Sequence, residues 1–367
     1  MNRRLATSLA GAIAVGVGAL TVSAVPRDAE EVIFYPTYGV KQGNDWRIDV
    51  RAKVQQPRDV ARAITALFGR IPPRDARERV NLERRLADFI ADDESGEEIR
   101  LAFDADSART SYRIAADDGA FPSSNGDGVV DGTLTLPDTV AQRLLTEQRS
   151  ANGWLTYHAV SKDHTGVGRV RLIGPTGVSV ISDIDDTIKV TQIPAGLRVV
   201  AQNTFYRDFV STTELAAVYE ALAGAPVHYV SGGPWQLYRP LARFLVEGRH
   251  PEGSFHMKRL TGGIRSPVTS LENLARFATP GGTVEHKTAE IARIMERFPG
   301  RTFVLIGDSG ERDPEIYRDV KSRFGARVER IVIRDLTNAK ELCPGRLTGM
   351  TIVTSPTIAD CVPGAHH

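Results

Sequence analysis

The sequence predicts an α/β protein. A doubly wound parallel sheet occupies the C-terminal half, preceded by a β-rich, sandwich-like region with a helical insertion. Three observations predict this. From Val178 onward, short apolar runs alternate with amphipathic stretches of helical period, the pattern of a parallel sheet covered on both faces. Before about residue 175 most segments alternate apolar and polar residues, as half-buried strands do. Within that first region, residues 60–90 instead repeat their apolar positions every three or four residues.

At 367 residues the chain is long enough for two domains. The expected division is 1–24 as a leader, 30–175 as the β-rich domain, 176–340 as the catalytic domain and 341–367 as a tail. Lys and Arg total 46 against 45 Asp and Glu. That balance produces no field suited to nucleic acid, so none is expected as a partner. Arg3 and Arg4 precede an uncharged stretch from Leu5 to Val25, and Val22-Ser23-Ala24 forms a small-residue cleavage site. The expectation is an export signal and a periplasmic or secreted protein. The alternative is an uncleaved N-terminal anchor facing outside the cytoplasm. Only Cys343 and Cys361 are present. In an exported chain they are expected to pair and tie down the tail, against the alternative of two separate thiols.

Val32–Tyr38 and Trp46–Val54 read as strands joined by a turn at Gln42-Gly43-Asn44. Val60, Ile64, Leu67 and Phe68 mark one helix; Pro72-Pro73 breaks it. Leu82, Leu86, Phe89 and Ile90 mark a second, whose arginines interleave with Glu78, Glu83 and Asp88 as a solvated, self-compensating face. Strand patterns return at 99–103, 111–115, 132–136, 153–160 and 167–173. The Asp- and Gly-rich stretch from Asp117 to Gly132 lacks the ligand order of an EF-hand and reads as a turn. Beyond it, strands are expected at 178–182, 227–230, 254–257, 302–306 and 328–333. Helices are expected at 212–223, 235–247, 287–298 and 313–324.

In such a sheet the functional site lies beyond the carboxyl ends of the strands. Asp183-Ile184-Asp185-Asp186-Thr187 directly follows the first apolar strand. On extended backbone, side chains two apart share a face, so Asp183 and Asp185 point together. Two carboxylates there can hold Mg²⁺ and divide the chemistry. One can attack phosphorus while the other moves the proton. Thr187 ties down the turn. Ser231-Gly232-Gly233 ends the next strand as a hydroxyl with backbone N–H groups, a phosphate cradle. Thr187, Ser231 and Gly232 are the candidate substrate-binding residues. Lys287, after Gly281-Gly282, is a candidate to neutralise phosphoryl charge, with a surface helix lysine as the alternative. Asp308 ends a third strand and Asp313 follows it. With Asp183 and Asp185 they make up the expected metal set.

The series DIDDT, SGGPWQLY, HK and GDSGERDPE resembles the four motifs of the haloacid-dehalogenase superfamily. The wider wording, SDIDDTIKVT, YVSGGPWQLY and IGDSGERDPEIY, resembles the catalytic domain of the actin-patch type of phosphatidate phosphatase and its bacterial relatives. That resemblance implies an Mg²⁺-dependent phosphatase acting through an aspartyl phosphate. Asp183 would be nucleophile and metal ligand, Asp185 general acid and base. Ser231 would bind the phosphoryl group, Lys287 stabilise the phosphoenzyme, and Asp308 with Asp313 complete the metal site. Phosphatidate or a related lipid phosphate is the implied substrate, reached by peripheral contact with a membrane. Alternatives are a phosphatase for another exported phosphoester, such as a nucleotide or phosphoprotein, or a binding module on a phosphatase-like scaffold. The segments between the motifs are too short for a substantial lid, so an open site is expected. His256, Lys258, Arg259 and Arg265 form a candidate basic rim, with ordinary surface charge as the alternative.

Overall fold

A computed structural model describes residues 30–361, apart from 117, 162, 163 and 262. The expected leader, residues 1–24, and Asp117 of the expected turn lie outside the described residues. The described chain is a mixed α/β protein with two sheets.

The second sheet has six strands, and every neighbouring pair is parallel. In chain order they are Gly177–Ser182, Val227–Pro234, Gly253–Lys258, Arg301–Asp308, Val328–Asp335 and Thr351–Thr354. Across the sheet the order runs third, second, first, fourth, fifth, sixth. The order of connection across the sheet therefore reverses between Gly177–Ser182 and Arg301–Asp308, the position at which open parallel sheets place their sites. Neighbouring residues on each strand face opposite cores. Val180, Val304, Ile306 and Val332 join one apolar cluster; Ile181, Phe303, Leu305, Ile331 and Ile333 join the other. Burial on both faces is why these strands read as continuous apolar runs rather than alternating ones. Helices Thr283–Arg297 and Asp313–Phe324 cover the second face through Ile291, Met295, Ile316 and Tyr317. Helices Tyr238–Glu247 and Leu271–Ala278 cover the first. The expected helix at 212–223 is shortened to Ala216–Ala221, because Ser211 and Thr212 stay extended and bond to Lys189 and Ile188. The strand Thr351–Thr354, in the stretch expected to be a tail, adds to the sheet edge. Cys343 and Cys361 are joined in a disulfide, with Cα atoms 6.2 Å apart.

The first half departs from two facing sheets. Among the described residues, all nine of its strands belong to one hydrogen-bonded sheet. Strand Asp45–Gln56 is long enough to pair with Thr37–Gln42 along its first part and Glu31–Phe34 along its second. Its other edge pairs with Val129–Pro137. The sheet then curls until Ala115, beyond its last strand, exchanges hydrogen bonds of 2.9 and 2.7 Å with Thr133 of that same segment. A closed sheet has no free edge there, and it encloses one core of Trp46, Ile48, Val50, Leu101, Tyr157 and Val170 among others.

The helical insertion forms as expected, as Val60–Leu67 and Ala76–Ile90. Asp59 and Asp75 cap the helices through Arg62 N and Glu78 N. The insertion does not pack on the barrel core. Ile64, Phe68, Leu82, Leu86, Phe89 and Ile90 are buried in the same cluster as Val180, Ile184 and Phe205 of the parallel-sheet half. The insertion is thus an arm from one half seated in the other. Its polar face is not wholly solvated either. Asn81, Arg85 and Asp88 are buried in the junction. Asp88 and Glu31 share Arg239, and Gln55 donates to Asp88 at 2.9 Å. No helix among the described residues is long and apolar enough to cross a membrane.

Candidate active site

Asp183 is the first residue past its strand, and its N–H donates to Ile306 O of the neighbouring strand at 2.9 Å. Ser182 is in register with Ile306 on one side and Tyr229 on the other. Asp308 and Ser231 therefore stand two residues beyond the same level as Ser182. The expected grouping of strand ends is present in the fold. Asp183, Thr187, Ser231, Lys287, Asp308 and Asp313 are all almost fully buried, while Asp185, Gly232 and Glu311 are half-buried. The site is deeper than the open rim expected, and it reaches solvent past those three residues.

One oxygen each from Asp183, Asp308 and Glu311 falls within 4.8 Å of the other two. This trio differs from the expected metal set in two ways. Glu311 joins it, and the side chains of Asp185 and Asp313 do not. Asp313 is committed to Lys287, whose ammonium lies 2.6 Å from it, 3.0 Å from Asp183 and 3.6 Å from Glu311. The carboxylate of Asp313 packs so closely over Gly307 that a Cβ there would come within 2.3 Å of it, which only glycine avoids. Asp185 is committed to its own loop. Lys189 Nζ donates to it at 2.7 Å and the Thr191 hydroxyl at 2.5 Å.

The electrostatics follow from this crowding. Burial pushes the Asp183 carboxyl well above its usual range; Lys287 opposes the rise, while Asp313, Glu311 and Asp185 add to it. Burial, Asp313 and Asp183 push Asp308 up as well. Glu311 is raised by burial against the pull of Lys287. Burial alone would lower Lys287, but Asp183 and Asp313 outweigh it and hold the ammonium well above the ordinary lysine range. Asp185 runs the other way. Burial would raise it, yet the Lys189 charge and the Lys189 and Thr191 hydrogen bonds keep it below the usual carboxylate range. The pair of acids from one motif is therefore split electrostatically by their different partners.

Thr187 sits between the trio's walls, its hydroxyl 3.3 Å from Asp183 and 3.5 Å from Asp308. Ser231 accepts the Gly233 N–H at 3.0 Å and so shapes its own turn. Gly232 lies against the start of helix Thr283–Arg297, where a Cβ would meet Thr283 at 2.6 Å. Asp186 was not singled out from the sequence. Its backbone is left-handed, at φ 57°, and its carboxylate accepts from the N–H groups of Thr191, Gln192 and Ile193 at 2.8, 2.7 and 2.6 Å. It fastens the loop that carries Asp185's partners. Lys189 and Glu311 were also missed. The signal for Lys189 was its place four residues after Asp185, and for Glu311 its place between Asp308 and Asp313.

The expected basic rim is not assembled at the mouth. His256 is buried against Glu290 at 3.1 Å, and Lys258 donates to Pro280 O at 2.7 Å. Arg259 pairs with Asp127 at 2.8 Å and Arg265 lies 3.5 Å from Asp92. Each charge has a local partner, and the two arginines fasten the first half to the second.

Residues 178–335 match the family described as phosphatidate phosphatase APP1, catalytic domain. The chain is 31% identical over 175 residues to an uncharacterized protein of Schizosaccharomyces pombe, covering 46% of this chain and 27% of that one. It is 30% identical over 177 residues to phosphatidate phosphatase APP1 of Saccharomyces cerevisiae, covering 47% of this chain and 28% of the yeast protein. The chain thus spans little more than a quarter of the length of these curated relatives. Over residues 178–335, this chain is similar to the catalytic domain of phosphatidate phosphatase APP1.

Proposed function

We propose that the chain is an Mg²⁺-dependent phosphomonoester hydrolase of the haloacid-dehalogenase type, acting on phosphatidate or a related lipid phosphate through an aspartyl phosphate on Asp183. The observation that carries this reading is the convergence of Asp183, Asp308 and Glu311 beside Lys287 at the ends of adjacent parallel strands. The strand order and the helices on both faces support a doubly wound catalytic fold. The family match supports the substrate class. Export is supported by the pattern of residues 1–25 and agrees with the joined cysteines. Peripheral contact with a membrane is then how the enzyme meets its substrate.

The residues present fit a hard divalent cation. Three carboxylate oxygens converge in one recessed site, with the Lys287 ammonium 3.0 Å from Asp183 Oδ1. Asp183, Asp308 and Glu311 would hold the ion, which when bound supplies positive charge to the phosphoryl oxygens. In the first step an Asp183 oxygen bonds to phosphorus as the bond from phosphorus to the leaving alcohol breaks. Asp185, held ionised at rest by Lys189 and Thr191, takes up a proton from solvent and passes it to the departing oxygen. In the second, Asp185 takes a proton from water as the water oxygen bonds to phosphorus. The bond from phosphorus to Asp183 breaks and inorganic phosphate leaves. The proton gained by Asp185 returns to solvent, which restores the starting state. Lys287 holds Asp183 in place and offsets its charge, and Thr187 fixes the spacing between Asp183 and Asp308.

The test is phosphate release by the full chain from phosphatidate in mixed micelles, from nucleotides and from sugar phosphates. Release from phosphatidate is expected to stop with EDTA and return with excess Mg²⁺. If no phosphoester is turned over with Mg²⁺ present, the chain is a binding scaffold instead.

A further inference from the structure

The arm from the first half does more than fill the core of the second. Helix Ala76–Ile90 packs against the turn Gln202–Tyr206, and from there two routes lead to the loop that holds Asp185. The first is a relay of hydrogen bonds. Arg85 donates to Thr204 O at 2.9 Å and Asn81 to Tyr206 O at 2.8 Å, fastening the π-helical turn Gln202–Tyr206. Inside that turn, Asn203 donates to Thr191 O at 2.9 Å. Thr191 in turn gives its hydroxyl to Asp185 at 2.5 Å. The second route passes through a ring. The Arg85 guanidinium lies 3.8 Å from the centroid of Phe209, and Lys189 Nζ lies 4.9 Å from the same centroid. Lys189 is the other hydrogen-bond donor to Asp185.

Arg85 itself is an expensive choice. It is 4% exposed, and among the described residues no carboxylate lies within ion-pair distance of it. Burial pushes its guanidinium down to about 9. A buried cation without a paired anion costs stability that an apolar side chain of similar size would not. Single π-helical turns, such as the one it fastens, are found often at functional sites. Both facts make sense if the residue serves the reaction rather than the fold.

We infer that Arg85 is a positioning residue for the phosphatase reaction: from the first half of the chain it braces the loop that sets the Asp185 carboxylate, so segment 178–335 alone is an incomplete catalyst. The inference rests on the reading of Asp185 as the proton-transfer group.

The experiment compares two leaving groups in the full chain with Mg²⁺. A nitrophenolate departs without a proton, whereas an alkoxide needs one. In Arg85→Met, kcat on octyl phosphate is expected to fall roughly 10- to 100-fold, the scale of a misplaced catalytic group. The first-turnover burst of nitrophenol from p-nitrophenyl phosphate is expected to stay within about twofold of the parent. Asn203→Ala, which cuts the relay nearer to Asp185, is expected to show the same split and substitutes if Arg85→Met does not fold. Asp185→Asn is the control. If the control loses the alkyl reaction selectively but both arm-side variants lose neither reaction, or lose both equally, the inference fails alone. If the control shows no selectivity, the assignment of Asp185 has failed first.

Discussion

Lys287 and Asp313 form an ion pair 2.6 Å across in which the side chains are 1% and 0% exposed. The same ammonium is 3.0 Å from Asp183. Removing a partner from a buried pair strands the other charge, which costs about 3–5 kcal/mol. Lys287→Met should therefore lower the unfolding free energy by that amount and abolish phosphate release. The double variant with Asp313→Asn should lose less than the sum of the two single changes. Denaturant unfolding of the three variants checks this, and a parent-like midpoint for Lys287→Met would contradict it.

Asp183→Asn is expected to separate activity from stability. The amide cannot attack phosphorus, so turnover should fall on the order of a thousandfold or more. It also removes one of the mutually repelling buried carboxylates around Asp308. Melting in EDTA should thus occur at or above the parent temperature. A clear drop in melting temperature would mean that Asp183 is needed for the fold.

The trio of Asp183, Asp308 and Glu311 makes metal binding visible without activity. Saturating Mg²⁺ at about 100 times its Kd should add about 2.7 kcal/mol to stability. Glu311→Gln should weaken that response on the order of 10–100-fold in affinity, while Asp185→Asn should not. Calorimetric titration with Mg²⁺ reads both. Equal losses would return Asp185 to the ligand set.

pH dependence gives a sign that changes with the ion. Asp183, Asp308 and Glu311 all have raised pKa values in the folded state. The metal-free folded chain therefore binds more protons than the unfolded chain, whose carboxyls titrate near pH 4. This contribution favours folding below that pH and is lost as pH rises through the folded values. In EDTA, Asp308→Asn should gain stability over the parent as pH is raised from 5 to 8. With Mg²⁺ the difference should reverse. Thermal melts across that range in both buffers decide the point.

Much of the second half was legible because burial on both faces leaves a simple trace. Runs such as Val178–Ile181 and Phe303–Ile306 admit few partners, and acids at their ends had to converge. The first half was less legible for a matching reason. Periodicity told which face of Ala76–Ile90 is apolar, but not whose core it enters. Closure of the barrel depends on the Ala115–Thr133 contact, which carries no local mark. Within the site, motif spacing located Asp183 and Asp308. It could not tell that Asp185 would turn to Lys189 and leave its place among the acids to Glu311, because side-chain pairing is settled in three dimensions.

The disulfide offers a last check. Cys361 N donates to Thr337 O, and Thr337 lies beside Ser309, the neighbour of Asp308. The bridge closes a loop of 18 residues in sequence separation, worth about 3 kcal/mol in chain entropy. Reduction, or Cys343→Ser, should lower the melting temperature and loosen protection of the amides around 335–337 in hydrogen exchange. Unchanged exchange there would confine the bridge to the tail.

The arm leaves and re-enters the barrel at one spot, where Gln55 and Gln56 pair with Asp93 and Asp92. Between those points it carries six large apolar side chains into its neighbour. Recombination at the seam near residue 176 would leave those six groups naked on one product and their sockets hollow on the other. A cut there would therefore favour association of the pieces over independent folding of either one.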